Sequence, residues 1–230
     1  MTLETFKQYV PGPLKQAART AWQRQQLRWG MRHLLALPTG AVPQRQLLVE
    51  LRAAWDNDGY TADIDYLAEV ARLAAVTPGP VLECGSGLTT LLLGALAGRR
   101  GVEVWSLEHD VAWRRRVSAA LREHVAGQVY LWLSPLSDYG AFDWYAAPLP
   151  LMPEQFRLVV CDGPPDGTRG GRFGLLSIIG HRLAPGSVIL LDDASRESEQ
   201  EAVSRWKRAM PLSVVLRRLP GGALAEITRC

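Results

Sequence analysis

The chain has 230 residues, 47% of them hydrophobic and 21% charged, and its 26 Lys and Arg against 23 Asp and Glu leave a net charge of +3. These values exclude disordered, collagen-like and disulfide-scaffold proteins, and near-neutrality excludes a chain that is polybasic throughout. What remains is a globular protein with one sizeable core and an appendage. The longest apolar run, TTLLLGALAG, stops at Arg99, well short of the roughly eighteen residues a membrane-spanning helix needs.

The opening residues, MTLETFKQYVPGP, lack the apolar stretch and cleavage site of a secretory signal. Cys84, Cys161 and Cys230 are odd in number and form no C-x-x-C pair. A reduced, cytoplasmic chain without a zinc site is therefore expected. Residues 1–37 carry Lys7, Lys15, Arg19, Arg24, Arg28 and Arg32 against Glu4 alone, so the basic surplus is N-terminal and the remainder is mildly acidic.

From Leu14 to Leu37 the apolar residues Leu14, Ala18, Ala21, Trp22, Trp29 and Leu37 recur at helical spacing, which predicts one amphipathic helix ending before Pro38. Two readings of this basic helix stay open. It packs its Trp face on the main domain, or it contacts a partner, an acidic polymer or a membrane surface. Further helices are expected over about 43–55 and 62–75, with Trp55, Asn57 and Tyr60 as part of a lid, and Pro78-Gly79-Pro80 marks a boundary. This divides the chain into an N-terminal helical extension, 1–77, and a second domain, 78–230.

Beyond the boundary, short apolar runs alternate with helical segments. The runs are PVLECG, EVWSLEHD, QVYLWLSP, FRLVVCDG and SVILLDD, rich in β-branched residues and leucine. Alternation of this kind predicts an α/β fold with parallel strands joined by crossover helices. A helix over about 197–210 follows. Strands at 212–219 and 223–228 are then separated by a turn short enough for a hairpin, so the last strand should run antiparallel.

In such a sheet, ligands bind beyond the carboxyl ends of the strands. The first strand runs into Glu83-Cys84-Gly85-Ser86-Gly87-Leu88-Thr89-Thr90. The glycines allow a tight turn and close approach of a ligand, and the threonines can cap the next helix. A dinucleotide fingerprint would need a third glycine where Thr90 stands, and Glu83 would repel phosphate. A carboxylate there suits a cationic, amino-acid-like group. Glu108, followed by His109 and Asp110, ends the second run and can accept two ribose hydroxyls. Ser134-Pro135-Leu136 at the third offers an adenine edge contact. Together these describe a nucleoside with an amino-acid tail and no phosphate.

On these residues the chain resembles a class I S-adenosylmethionine-dependent methyltransferase over about residues 78–228, with ECGSG as the glycine-rich first motif, Glu108 as the ribose acid and Asp162 at the fourth-strand motif. The resemblance implies a Rossmann-like, doubly wound seven-stranded sheet of order 3-2-1-4-5-7-6. It places Glu83, Cys84, Gly85, Ser86, Gly87, Thr89 and Thr90 around the methionine portion. Glu108 and His109 fall at the ribose, Ser134, Pro135 and Leu136 near adenine, and Asp162 at the reacting end.

The fourth run ends Cys161-Asp162-Gly163-Pro164-Pro165, without the Asn/Asp-Pro-Pro-aromatic pattern of many amino-group methyltransferases. With Asp192 and Asp193 after the fifth run, three carboxylates stand at adjacent strand ends. This resembles metal-dependent O-methyltransferases and implies Asp162, Asp192 and Asp193 as ligands of a divalent cation such as Mg2+. The alternative is that Asp192 or Asp193 caps the helix that follows. Asp162 and His109 are the candidate catalytic residues, with His109 either a general base or a histidine at the cofactor edge. Arg169 and Arg172 can clamp an acidic substrate or lie solvated on their loop, and Trp144 and Tyr145 can stack on a sugar or aryl acceptor or pack against the sheet.

The expected activity is methylation of a hydroxyl on a small molecule or glycan. An aminopropyltransferase of the spermidine-synthase type and a noncatalytic nucleoside- or partner-binding module are the alternatives, and no nucleic acid partner is expected. A homo-oligomer stays open.

Overall fold

A computed structural model describes residues 12–55, 61–125, 127–220 and 222–230. Three helices come first, α1 (Gly12–Ala36), α2 (Arg45–Trp55) and α3 (Ile64–Val76). Strand and helix then alternate through β1 (Val81–Cys84), α4 (Leu88–Leu96), β2 (Val104–Glu108), α5 (Val111–His124) and β3 (Val129–Leu133). A small hairpin follows, β4 (Leu136–Asp138) and β5 (Asp143–Tyr145), before β6 (Phe156–Cys161), α6 (Gly174–Ile179), β7 (Leu183–Leu191), α7 (Glu197–Ala209), β8 (Leu212–Leu219) and β9 (Gly222–Arg229).

The seven-stranded sheet has the order β3-β2-β1-β6-β7-β9-β8. Counting only its own strands, this is 3-2-1-4-5-7-6, as expected. The first five strands pair in parallel, whereas β9 runs antiparallel to both β7 and β8. Strand order reverses between β1 and β6, so the crevice for a ligand lies beyond Cys84 and Cys161, which are register partners.

Alternation along the strands builds two cores. Val81, Val104, Leu158, Val160, Leu190 and Leu224 face one side of the sheet, where α1 to α5 cover them. Leu82, Cys84, Trp105, Val159, Cys161 and Ile227 face the other, beneath α6, α7 and the β4–β5 hairpin. The N-terminal helices therefore belong to a face of the sheet. Arg99 donates to the carbonyls of Leu35 and Leu37, and Arg100 to those of Ala74, Ala75 and Thr77, so two adjacent arginines satisfy the exposed C-terminal carbonyls of α1 and α3. Gly30 permits the α1–α2 crossing, because a Cβ there would lie 2.7 Å from Leu51 Cδ2.

Two expectations for the extension need correction. α1 packs through Leu27, Met31 and Leu34 in its second half, while Trp22 and Trp29 are 58% and 45% exposed. Its Trp face is thus not its packing face, and the helix is not amphipathic along its whole length. Trp55 is buried, with its ring edge-on to Trp113 at 6.0 Å and the Arg116 guanidinium above it, which makes it core and not lid. Asn57 and Tyr60, the other proposed lid residues, lie outside the described residues.

Candidate active site

The turn after β1 is shaped by close backbone approach. Gly85 has φ +87°, and a Cβ on it would lie 3.0 Å from the Gly163 nitrogen in the loop after β6. Only glycine allows the two strand ends to meet this way. A Cβ on Gly87 would meet nothing within 4 Å, so the turn opens into space on the ligand side. The Thr90 hydroxyl accepts the Gly87 N–H at 2.9 Å and donates to Glu83 Oε2 at 2.7 Å, which ties the start of α4 to the strand.

Glu83 is wholly buried. Ser106 donates to its Oε2 at 2.5 Å, yet its Oε1 has no partner among the described residues. Burial raises its pKa from 4.5 to about 7, against the hydroxyl hydrogen bonds from Ser106 and Thr90 that favour the anion. The native state therefore keeps a proton that the unfolded chain releases near pH 4.5. This term favours folding less and less as pH rises from 4.5 through 7. Glu83→Gln keeps the shape and the two hydroxyl contacts without the buried charge. It should be more stable than wild type at pH 8, by up to about 3 kcal/mol, and equal to it at pH 4. Urea unfolding at both pH values checks this.

Glu108 ends β2 as an organised acceptor. Ser86 donates from its amide at 3.2 Å and its hydroxyl at 2.7 Å to Oε2, and the Asp110 amide donates to Oε1 at 2.8 Å. Burial pushes its pKa up, but these bonds and the adjacent His109 outweigh it and hold the carboxyl below its usual value. His109 Nδ1 lies 3.1 Å from Glu108 Oε1, which raises the His109 pKa, and its ring is 6.2 Å from that of Tyr145. Its place is therefore beside the Glu108 carboxylate. Asp110 caps α5 by accepting the Trp113 N–H at 2.6 Å. At the third strand end Ser134 is buried. Its amide donates to the Glu108 carbonyl at 2.7 Å, and its hydroxyl has no partner among the described residues.

At the fourth and fifth strand ends the three carboxylates do gather: Asp162, Asp192 and Asp193 each offer an oxygen, all within 4.8 Å of one another. A fourth group has joined them. The Arg172 side chain is 1% exposed, and its Nη2 lies 3.3 Å from Asp162 Oδ1 and 3.1 Å from Asp193 Oδ2. It also donates to the Asp162 carbonyl at 2.7 Å and to the Asp192 carbonyl, with Nε 3.8 Å from Glu199. Arg196 pairs with Asp193 at 2.8 Å. Burial acts to lower the Arg172 pKa, but Asp162 foremost, with Asp193 and Glu199, overrides it and keeps the guanidinium charged. Desolvation lifts Asp162 to about 6 and Asp192 to about 7, with repulsion from Asp193 adding to both. Asp193, at φ +53°, turns the chain so that its side chain points back into the cluster.

A magnesium ion would need its oxygens at about 2.0–2.1 Å, where the Nη2 of Arg172 already bridges two of the three acids. The residues expected to hold a cation thus enclose an internal one, and they do not fit a metal in this arrangement.

The acceptor residues also change roles. Arg172 is spent on carboxylates and cannot clamp a substrate. Arg169 bridges Asp138 at 2.5 Å and Asp143 at 2.6 Å, which pins the Gly-rich loop to the β4–β5 hairpin. Trp144 and Tyr145 are completely buried, with rings 5.3 Å apart, and offer no face to a sugar. The Tyr145 hydroxyl is unpartnered among the described residues and abuts Gly163, where a Cβ would come within 2.2 Å of it. Sequence reading missed the hairpin altogether. Its signal was the short polar turn Asp138-Tyr139-Gly140 between two apolar stubs, too brief to stand out from a loop.

A seven-stranded sheet of this order, with a glycine turn after β1 and an acid ending β2, is the fold of the class I S-adenosylmethionine-dependent methyltransferases. Residues 82–194 match a family model described as a methyltransferase domain. The fold is similar to the O-methyltransferase from Bacillus cereus in complex with SAH, at 13% identity, with 82% of this chain and 93% of that chain covered and a TM-score of 0.58. It is also similar to the SAH-bound Podospora anserina methyltransferase PaMTH1, at 15% identity, covering 100% and 97% with a TM-score of 0.59. The precorrin-6y C5,15-methyltransferase from Geobacter metallireducens matches at 13% identity, 76% and 91% coverage and a TM-score of 0.54. No curated protein matches the sequence. Among the described residues no helix is long and apolar enough to cross a membrane.

Proposed function

We propose that the protein transfers the methyl group of S-adenosylmethionine to a hydroxyl oxygen of a small molecule or glycan, with Asp162 receiving the proton. The observation that carries this reading is the position of Asp162. It directly follows the central strand β6, against the Gly85 turn, its side chain is 29% exposed, and Arg172 holds one of its oxygens. A carboxylate so placed accepts a hydroxyl proton, and the Asn/Asp-Pro-Pro-aromatic grip on a planar amine is missing from this strand end.

Orphaned buried atoms support the cofactor cradle. Glu83 Oε1 takes the ammonium of the methionine portion at the turn that runs from Cys84 through Ser86 and Gly87 to Thr89 and Thr90. Glu108 takes the ribose hydroxyls beside His109, and Ser134 Oγ takes an adenine edge, flanked by Pro135 and Leu136. When bound, S-adenosylmethionine supplies a methyl group activated by its sulfonium sulfur. The protein places the acceptor oxygen in line with it and excludes water. Because Arg172 neutralises the acids, no step is routed through a metal. We place the catalytic unit at 78–230, with 1–77 as a helical segment laid on it, and the activity in the cytoplasm.

The test is incubation with methyl-labelled S-adenosylmethionine and matched panels of hydroxyl and amine acceptors, with and without EDTA. O-methylated product formed at the same rate in chelator is expected. Methylated amines as the product, or activity lost in EDTA and restored by Mg2+, would overturn the reading.

A further inference from the structure

α1 carries a surface that the methyltransferase site does not use. Residues 16–22 are all exposed, so its first described turns stand free of the sheet. Trp22 and Trp29 are seven residues apart, hence only about 20° apart around the helix. The buried leucines Leu27 and Leu34 each follow a tryptophan by five residues, about 140° further round, so the two indoles sit on the side away from the packing stripe. Ala18 and Gln25 fall on the same outer face. Arg19 and Arg32 fall to either side of it, about 70° from the tryptophans. A plane laid against the two indoles would therefore touch cations along both margins. A groove of about 400 Å³ runs beside this face, with Trp22, Gln26, Trp29, Glu50 and Ala53 in its walls.

We propose that this face docks on an anionic lipid–water interface. The indole is apolar over its ring and polar at its N–H, which suits the headgroup level, and flanking arginines meet anionic headgroups. Charge selects this occupant over a second copy of the chain. Between Gly12 and Leu37 there are five Lys and Arg and no Asp or Glu, so two such helices would repel. The flat layout, with aromatics central and cations marginal, matches a planar surface better than the groove of a nucleic acid. Arg28 serves the fold, since it pairs with Glu123.

The experiment is vesicle co-sedimentation of the full chain. Vesicles of phosphatidylcholine with about one-third phosphatidylserine should retain the protein at 0.1 M salt and release it at 0.5 M, and pure phosphatidylcholine should not bind. The double variant Trp22→Ala/Trp29→Ala should bind at least tenfold more weakly, and Arg19→Glu/Arg32→Glu should not bind. Both should bind SAH as wild type does, because all four side chains lie on α1, away from the strand ends that form the site. Absence of binding to the anionic vesicles, binding indifferent to the tryptophans, retention by oligonucleotides in place of vesicles, or a dimer broken by the tryptophan variant would each overturn the proposal.

Discussion

Arg172→Met should lose about 3–5 kcal/mol of stability at pH 8, because a buried ion pair broken from one side leaves charge without compensation. Methionine approximates the arginine stem in volume, so the cost comes from the charges left behind. Asp162 and Asp193 lose a donor within 3.3 Å, the carbonyls of Asp162 and Asp192 lose theirs, and Glu199 loses its nearest cation. The loss depends on pH in a defined direction. Asp162 and Asp192 already have raised values of about 6 and 7, and without the guanidinium they rise further. Above neutrality the variant must hold anions side by side, whereas near pH 5 they protonate and the penalty shrinks. Urea unfolding at pH 5 and pH 8 measures both. Equal small losses at the two values would show that Arg172 is not the counter-ion of this cluster. The same variant should gain a stabilising response to Mg2+ that wild type lacks, since it vacates the position between the acids.

Asp162→Asn is expected to lower kcat by about a hundred- to ten-thousandfold, the usual range for a lost general base. The amide oxygen still accepts from Arg172, so the fold and SAH affinity should change little, and calorimetry with SAH separates a lost base from a damaged cofactor site. In wild type the base must be ionised. With a pKa of about 6 for Asp162, kcat/KM should therefore rise with pH through 6 and level off above it. The variant should show a flat, low profile over that range. Retention of the acid limb in the variant would assign that titration to another group, with His109 the first to examine.

The fold was largely legible in the sequence. Five apolar runs with polar ends, separated by helical stretches, could only be buried parallel strands, and the turn at Pro220 set the antiparallel return of β9. Glu83, Glu108, Asp162, Asp192 and Asp193 were legible as site candidates because strand-end position alone carries them to one edge of the sheet. Three things were not legible. Arg172 sits in a Gly-rich loop whose composition reads as solvated, and only the packing of that loop beneath α7 carries it into the acids. The tryptophans of α1 share a helical stripe with several alanines, which looks the same whether buried or bare. Trp144 and Tyr145 look like acceptor stackers until the β4–β5 hairpin folds them under the sheet.

The sequence by itself determined the fold class of this protein: strand periodicity, the glycine turn and the acids that end the strands are local patterns, and each forces its geometry within a few residues. It also placed the basic surplus of the chain in its first helix. Tertiary structure alone decided what those charges do. Whether three carboxylates wait for a metal or already enclose a guanidinium depends on a loop ten residues downstream in the chain returning to within 3.3 Å. Whether a helix buries its indoles or presents them depends on which stripe its neighbours cover. Both are relations between distant segments, set by packing, and no local pattern encodes them.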